Sequence, residues 1–374
     1  EARGHRVFRY TTHNEGIAQT GRIDLVRNAF WNQRTYDDLR VLIRAERPAV
    51  MHVHNTFPVL SPSAYAAANA EGVPTVHSLH NFRHLCANGL LFREGAVCDR
   101  CVGKSVPWPA VTGRCYRGSL LASAVAAGVT YLYKGQGHWA DRIDLYIALT
   151  EAGRERFIAG GIPAERIVVK PHFVEDEFGP DRSRHLGSSV LFVGRLSPEK
   201  GVTTLLTAWA ENRDLPPLVI IGSGPLEPLV AEACSSDKRV RWLGHQSHAE
   251  VMKVMGGARC LVVPSLWEEP FGLVAIEAFS AGVPVIASDQ GALRSLITPS
   301  ENGLLHKPGD VQGLAAALRC MMSSSIEWGN MGARARERYE TDYTPARNYQ
   351  MLLAIYERAR LSHGSRGCRG RARG

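Results

Sequence analysis

The chain has 374 residues, 45% of them apolar and 21% charged, with a formal net charge of +8. That balance excludes a disordered or fibrous protein, and the length suits two domains that each bury a core. No apolar run reaches the ~20 residues of a bilayer span, no basic start leads into an apolar leader, and eight cysteines are too few for a disulfide scaffold; a reduced, cytoplasmic setting is expected.

The opening, Glu1 to Val7, reads as the end of a helix leading into a strand, so a first strand and its loop are expected to be missing. Ala49–His54, Val73–His77 and Ile143–Ala148 then read as strands of the first half. Ser189–Val193, Leu218–Ile221, Val240–Leu243, Cys260–Val263 and Pro284–Ala287 read as strands of the second. Helical patterns fall between them, among them Gly201–Ala210, Leu226–Ala233 and Val311–Met321. Nearly continuous apolar strands alternating with helices predict doubly wound parallel sheets covered on both faces. The pattern resets near 171–188, where Pro171, Gly179, Pro180 and Gly187 cluster as an interdomain linker.

These readings divide the chain into an N-terminal α/β domain (1–180), a C-terminal one (181–345), a helix (346–361) and a basic tail (362–374). The tail holds Arg366, Arg369, Arg371 and Arg373 with no acid after Glu357, and its Gly/Ser/Arg composition predicts disorder. Without it the body is only mildly basic, so charge does not argue for nucleic acid as a partner. Ligands of such sheets bind beyond the carboxyl ends of the strands, so the cleft between the domains is the expected site.

Four strand-to-loop segments carry chemistry. In Phe192-Val-Gly-Arg-Leu-Ser-Pro-Glu-Lys-Gly201, Gly194 ends a strand and Arg195 and Lys200 precede a helix start, which suits a diphosphate. Gly222 and Gly224, in Ile221-Gly-Ser-Gly-Pro225, permit close backbone approach to a ligand or simply form a tight turn. In Pro264–Ala278, Glu269 lies just before a helix expected to begin near Phe271 or Gly272, and Glu277 lies inside it among apolar neighbours. A carboxylate so buried needs a partner, and a ribose diol would serve. Val285–Ala292 leads a strand into a Gly-containing loop that could close over the ligand.

Taken together, Gly194-Arg195…Lys200-Gly201, Gly222…Gly224-Pro225, Glu269-Pro-Phe-Gly…Glu277-Ala and Ala281-Gly-Val-Pro-Val285 resemble the family 4 glycosyltransferases of GT-B fold. The resemblance implies two facing Rossmann-like domains, acceptor-side first and donor-binding second. It also implies retaining transfer of a sugar from a nucleotide diphosphate sugar to an acceptor hydroxyl, with no metal required. Arg195 and Lys200 would hold the diphosphate, Glu269 the donor sugar, Glu277 the ribose, and the backbone of Phe271, Gly272 and Leu273 would lie near sugar and phosphates. His80, in Val76-His-Ser-Leu-His-Asn-Phe82, resembles the family's cleft histidine and would contact the sugar or relay a proton, with His77 as the alternative; His52 and His54 are expected to be packing or loop residues. Ser295 stands near the place where relatives often carry a Glu, which removes one expected donor contact.

Cys86, Cys98, Cys101 and Cys115 have spacings compatible with a structural zinc, with a disulfide or with four thiols. Similar cysteines occur in a bacterial polysaccharide-type subgroup of the family. Gly118–Lys134, with Arg114 and Arg117 before it, reads as either an amphipathic surface helix or a core helix. The expected activity is therefore glycosyl transfer to a saccharide or lipid-linked acceptor in cell-surface polysaccharide or glycolipid synthesis, in the cytoplasm or peripherally on the inner face of the membrane. A nucleotide-sugar epimerase of the same fold and a non-catalytic nucleotide-sugar-binding module are the rival readings.

Overall fold

The structure, a computed structural model, describes residues 3–12, 21–134, 142–179, 187–323 and 325–371. In the first lobe, α1 (Arg22–Phe30), α2 (Gln33–Glu46), β1 (Met51–Val53), α3 (Ser63–Ala70) and β2 (Thr75–Ser78) come first. The short strands β3 (Phe92–Arg93) and β4 (Ala96–Val97) follow, then α4 (Trp108–Thr112), α5 (Leu120–Lys134), β5 (Leu145–Ala148), α6 (Glu151–Ala159) and β6 (Ile167–Val169). The second lobe runs β7 (Val190–Val193), α7 (Val202–Glu211), β8 (Leu218–Ile221), α8 (Glu227–Ser236), β9 (Val240–Trp242), α9 (His248–Gly256) and β10 (Cys260–Val263). It continues through α10 (Leu273–Ser280), β11 (Val285–Ser288), α11 (Gly291–Leu296), β12 (Gly303–His306), α12 (Val311–Ser323), α13 (Ser325–Asp342) and α14 (Pro345–Arg371).

Two parallel sheets result, ordered β1-β2-β5-β6 and β12-β11-β10-β7-β8-β9. The second reverses direction of growth between β7 and β10, which opens a crevice at the carboxyl ends of those strands. Both faces of each sheet are covered, as the unbroken runs Val-Leu-Phe-Val, Leu-Val-Ile-Ile and Cys-Leu-Val-Val require. One face of the second sheet packs on Ala275, Ile276, Phe279 and Tyr339, and the other on Leu205, Trp209, Leu314 and Leu318.

Two segments cross between the lobes. The first, residues 171–179, is tied to the second: the Val174 amide donates to the Tyr343 carbonyl at 3.3 Å, Tyr339 Oη donates to the Val174 carbonyl at 3.1 Å, and Arg336 clamps Asp176. The second crossing leads from α13 into α14, whose Ile355 and Ala359 pack with Val76, Leu145 and Ile147 of the first sheet.

Several expectations need correcting. Residues 5–12 form no strand. β6, β12 and the β3–β4 hairpin were not anticipated. The C-terminal helix does not stop at 361 with a disordered tail behind it; it runs to Arg371, because no proline follows Pro345 and isolated glycines weaken a helix without ending it. Residues 372–374 and the linker residues 180–186 lie outside the described part.

Candidate active site

The loop after β7 and the turn before α10 meet at the carboxyl end of the second sheet. Lys200 closes a 3-10 turn, Pro198–Lys200, and Gly201 follows in the left-handed region. The Lys200 Nζ donates to Glu269 Oε1 at 2.8 Å and lies 5.3 Å from the Trp267 ring centre. Ser265 Oγ donates to the same Glu269 oxygen at 2.5 Å. Glu269 is only 6% exposed, so its charge is held by a cation and a hydroxyl rather than by water. Arg195 is exposed on the loop between β7 and that turn.

Gly272, with φ 94°, forms the N-cap of α10, which starts at Leu273, one or two residues later than expected. The free N–H groups of this end follow directly on Glu269-Pro-Phe and favour an anion. Phe271 is buried and Leu273 is exposed. Glu277 is mostly buried on α10, and burial pushes its carboxyl above the ordinary range; His248 Nδ1, 3.9 Å away, works against that shift. His248 in turn pairs with Glu177 of the linker at 2.9 Å.

Gly222 and Gly224 do permit a close approach, but to the neighbouring loop. A Cβ on Gly222, whose φ is 142°, would sit 1.9 Å from the Gly194 carbonyl oxygen. The two glycine turns are thus packed against each other. The residues expected from Val285–Ala292 hold the floor: Gln290 Nε2 donates to the Ser265 and Trp267 carbonyls, and the Ala292 amide to the Glu269 carbonyl. Ser295 is exposed on α11.

The first lobe faces this turn with histidines. His80 Nε2 and His54 Nδ1 are 2.7 Å apart, and the His80 ring stacks on His172 at 5.3 Å with planes 5° from parallel. His172 meets the Phe271 ring edge-on at 5.3 Å, which brings the two lobes' candidate residues into one cleft. Burial lowers His80 and His172 to about 4, so both imidazoles are neutral near pH 7. The alternative, His77, is buried at 3% exposure and bonded to Tyr65 Oη, a core residue. His54 is not merely a loop residue, contrary to expectation, because it holds His80. A second inter-lobe link is Arg156 of α6, whose guanidinium engages Glu268 through two nitrogens, Nε at 2.8 Å.

Sequence reasoning missed Ser265, Trp267, His172 and the Arg156–Glu268 pair. The serine alone was legible, four residues before Glu269 in the same loop.

Structural zinc is not supported. Cys86, Cys98, Cys101 and Cys115 line one small cavity, together with Arg93 and Arg100. Yet among the described residues no three His, Cys, Asp or Glu side chains are arranged to hold a metal ion. The Cys86 thiol is turned to Asn88 Oδ1 at 2.9 Å and the Cys101 thiol to the Pro107 carbonyl at 3.9 Å, while two guanidinium groups in the lining oppose a dication.

Residues 1–172 match the family Glycosyl transferase 4-like domain, and residues 180–338 match Glycosyl transferases group 1. Among curated proteins, glycogen synthase of Mycobacterium tuberculosis is 33% identical over 44% of this chain and 41% of its own length. Phosphatidyl-myo-inositol mannosyltransferase of Mycobacterium leprae is 34% identical over 46% and 47%. The chain thus matches less than half the length of these relatives. Among solved structures, Anabaena HepE in complex with UDP superposes with a TM-score of 0.62 at 19% identity, over 86% of this chain and 82% of that one. Sucrose-phosphate synthase from Thermosynechococcus elongatus gives 0.63 at 21% identity, over 90% and 80%. The two lobes, the crevice where β7 and β10 part, and the two family matches that between them take in nearly the whole chain lead to one conclusion: the chain belongs to the family 4 glycosyltransferases of GT-B fold.

Proposed function

We propose that the protein transfers a sugar, with retention of anomeric configuration, from a nucleoside diphosphate sugar to an acceptor hydroxyl. The Lys200–Glu269–Ser265 network, facing His80 and His172 across Phe271, carries this reading. When the anomeric carbon parts from the diphosphate oxygen, negative charge grows on the leaving group. Lys200, held in place by Glu269, and the N-terminal end of α10 stabilise it, with Arg195 adding a second cation from the exposed loop. Glu269, held on one oxygen by Lys200 and Ser265, keeps its other oxygen for the donor sugar's hydroxyls. Glu277 takes the ribose diol, which relieves the cost of its burial. His80, neutral and fixed by His54, contacts the sugar or passes on the proton that the acceptor hydroxyl loses.

A nucleoside diphosphate should raise the melting temperature. Scanning UDP, GDP and ADP identifies the base, since a ligand that binds only the folded state stabilises it. UDP is the first to try, because HepE was solved with UDP. No shift with any of the three would defeat the donor site, and binding without transfer or donor hydrolysis would favour a non-catalytic binding module.

The acceptor is proposed to be a saccharide or lipid-linked glycan of the cell surface, met at the cytoplasmic face of the membrane. No helix among the described residues is long and apolar enough to cross a bilayer. The start of α5 and the neighbouring α4 instead expose Trp108 (58%), Leu120 (55%) and Leu121 (71%) beside Arg114 and Arg117, and no acid occurs from Arg100 to Ala140. Such a surface suits anionic headgroups. Co-sedimentation with phosphatidylglycerol vesicles that survives in W108S/L121S would remove this part of the proposal.

A further inference from the structure

Lys170 follows β6 at the carboxyl edge of the first sheet and is 7% exposed. Its ammonium donates to Asn348 Oδ1 at 3.0 Å and more weakly to the Pro171 carbonyl at 3.3 Å. Among the described residues it has no carboxylate partner. Of the acids that follow it in the chain, Asp176 is engaged by Arg336 and Glu177 by His248, and Glu175 is exposed to solvent. A buried cation without a counter-charge is costly, and the cost falls when an anion arrives.

Its charge is felt by four imidazoles: His52, His54, His80 and His172. Three of them form a continuous wall. His54 bonds His80, His80 stacks on His172, and His172 touches Phe271 next to the donor turn. No ring in this wall is hydrogen-bonded to a carboxylate among the described residues. His54 is exposed and His80 and His172 are half-buried, and each keeps a ring nitrogen that bonds no described residue. With the imidazoles neutral, the bond between His54 and His80 leaves one N–H donor on that pair and His172 supplies a second, both beside the ammonium of Lys170, which burial lowers to about 8 and which still carries its charge near pH 7, on the side of the cleft opposite Arg195 and Lys200.

We propose that Lys170, with His54, His80 and His172, binds an oxyanion, phosphate or carboxylate, carried by the acceptor. The inference rests on the cleft reading above and adds a substrate class to it: an acceptor that is itself anionic close to the hydroxyl being glycosylated. The diphosphate of the donor is held from the other lobe, so the two negative groups meet separate positive charges and do not compete. Lys170 supplies the charge. The imidazoles supply direction, and with an anion beside them they gain protons more readily than in its absence.

The test uses the full chain saturated with whichever nucleoside diphosphate stabilises it, so that Arg195 and Lys200 are occupied. Inorganic phosphate is titrated and the imidazole resonances are followed by NMR, with affinity from calorimetry. The His54, His80 and His172 signals should shift together, K170M should weaken phosphate at least tenfold while leaving nucleotide affinity unchanged, and K170R should remain within about threefold of the wild type. Immobile resonances, or undiminished phosphate binding in K170M, would overturn the proposal. Should K170M fail to fold, H172N serves in its place: a loss of threefold or more supports the site and an unchanged affinity overturns it. A second arm separates acceptor from donor sugar. K170M should weaken a hexose phosphate added with the nucleotide and leave the affinity ratio of UDP-glucuronate to UDP-glucose untouched. A changed ratio would place the oxyanion on the donor and refute the acceptor assignment. Failure of the nucleotide itself to bind is seen first and separately, and refutes the donor site instead.

Discussion

Lys200 and Glu269 are mutually dependent at the level of single side chains. Each neutralises the other in a nearly dry position, so removal of either strands a charge. Lys200→Ala should lower kcat by about 100-fold or more, the scale on which a fixed electrostatic stabiliser of a transition state acts. Steady-state transfer kinetics, with circular dichroism to confirm folding, are the check, and turnover within threefold of wild type would remove Lys200 from the machinery. Ser265→Ala costs one hydrogen bond to the same carboxylate, so about a tenfold loss in kcat/KM is expected. These residues also show what could be read in advance. Glu269, Lys200 and Glu277 stand in compact local motifs, whereas the His54–His80 contact joins the ends of two different strands. It becomes visible only once β1 and β2 are known to be parallel neighbours, with Val53 beside His77. His172 lies three residues past β6, a strand too short to announce itself.

Strands and turns carry the next set of constraints. Most of the eight strands expected from the sequence lie in apolar runs that contain Val or Ile; β12, Gly303-Leu-Leu-His306, begins with glycine and has no β-branched residue, so its pairing with β11 comes from tertiary packing rather than local preference. The hairpin of β3 and β4 has two residues per strand and offers no period to detect. The zinc expectation failed for a related reason: ligand spacing in sequence does not determine where thiols point, and here Asn88 and the Pro107 carbonyl claim two of them. Glycine turns behave more simply. Gly222→Ala would put a methyl 1.9 Å from the Gly194 oxygen at a φ of 142°, with a cost of about 1–3 kcal/mol from backbone strain alone. A fall of several degrees in melting temperature and a weaker nucleotide response should appear together, because the displaced loop carries Arg195. A variant with unchanged melting temperature would show that the two turns are not packed in this way.

The molecule as a whole depends on pH through half-buried histidines at and beyond the carboxyl end of the first sheet. His52 is lowered to about 3, chiefly by burial, and His80 and His172 to about 4. Unfolded histidines titrate near 6.5, so between that value and about 4 the unfolded chain binds more protons than the folded one. Stability is therefore present above pH 6.5 and is lost as pH falls through this window. Melting temperatures from pH 7 to pH 4.5 should decline, and His52→Asn should flatten the decline; an identical slope in the variant would exclude His52 as a contributor. Across the cleft, Arg156→Ala breaks the bidentate link to Glu268. The pair is partly open to solvent, so the loss should be modest, a three- to fivefold rise in donor KM that shrinks in high salt.

The two chain crossings sit side by side and are fastened together over a short stretch, by the Val174 amide on the Tyr343 carbonyl, Tyr339 Oη on the Val174 carbonyl, Arg336 on Asp176 and Asn348 on the Pro171 carbonyl. Two tethers fastened at a common point leave little room for sliding and much for swinging. Relative motion of the lobes should accordingly resemble a door turning on one jamb, with displacement growing with distance from that fastening and smallest at Asp176 and Arg336. Distance measurements between spin labels at graded positions along the cleft mouth, with and without nucleotide, would trace that gradient; equal displacements at every position would indicate translation instead.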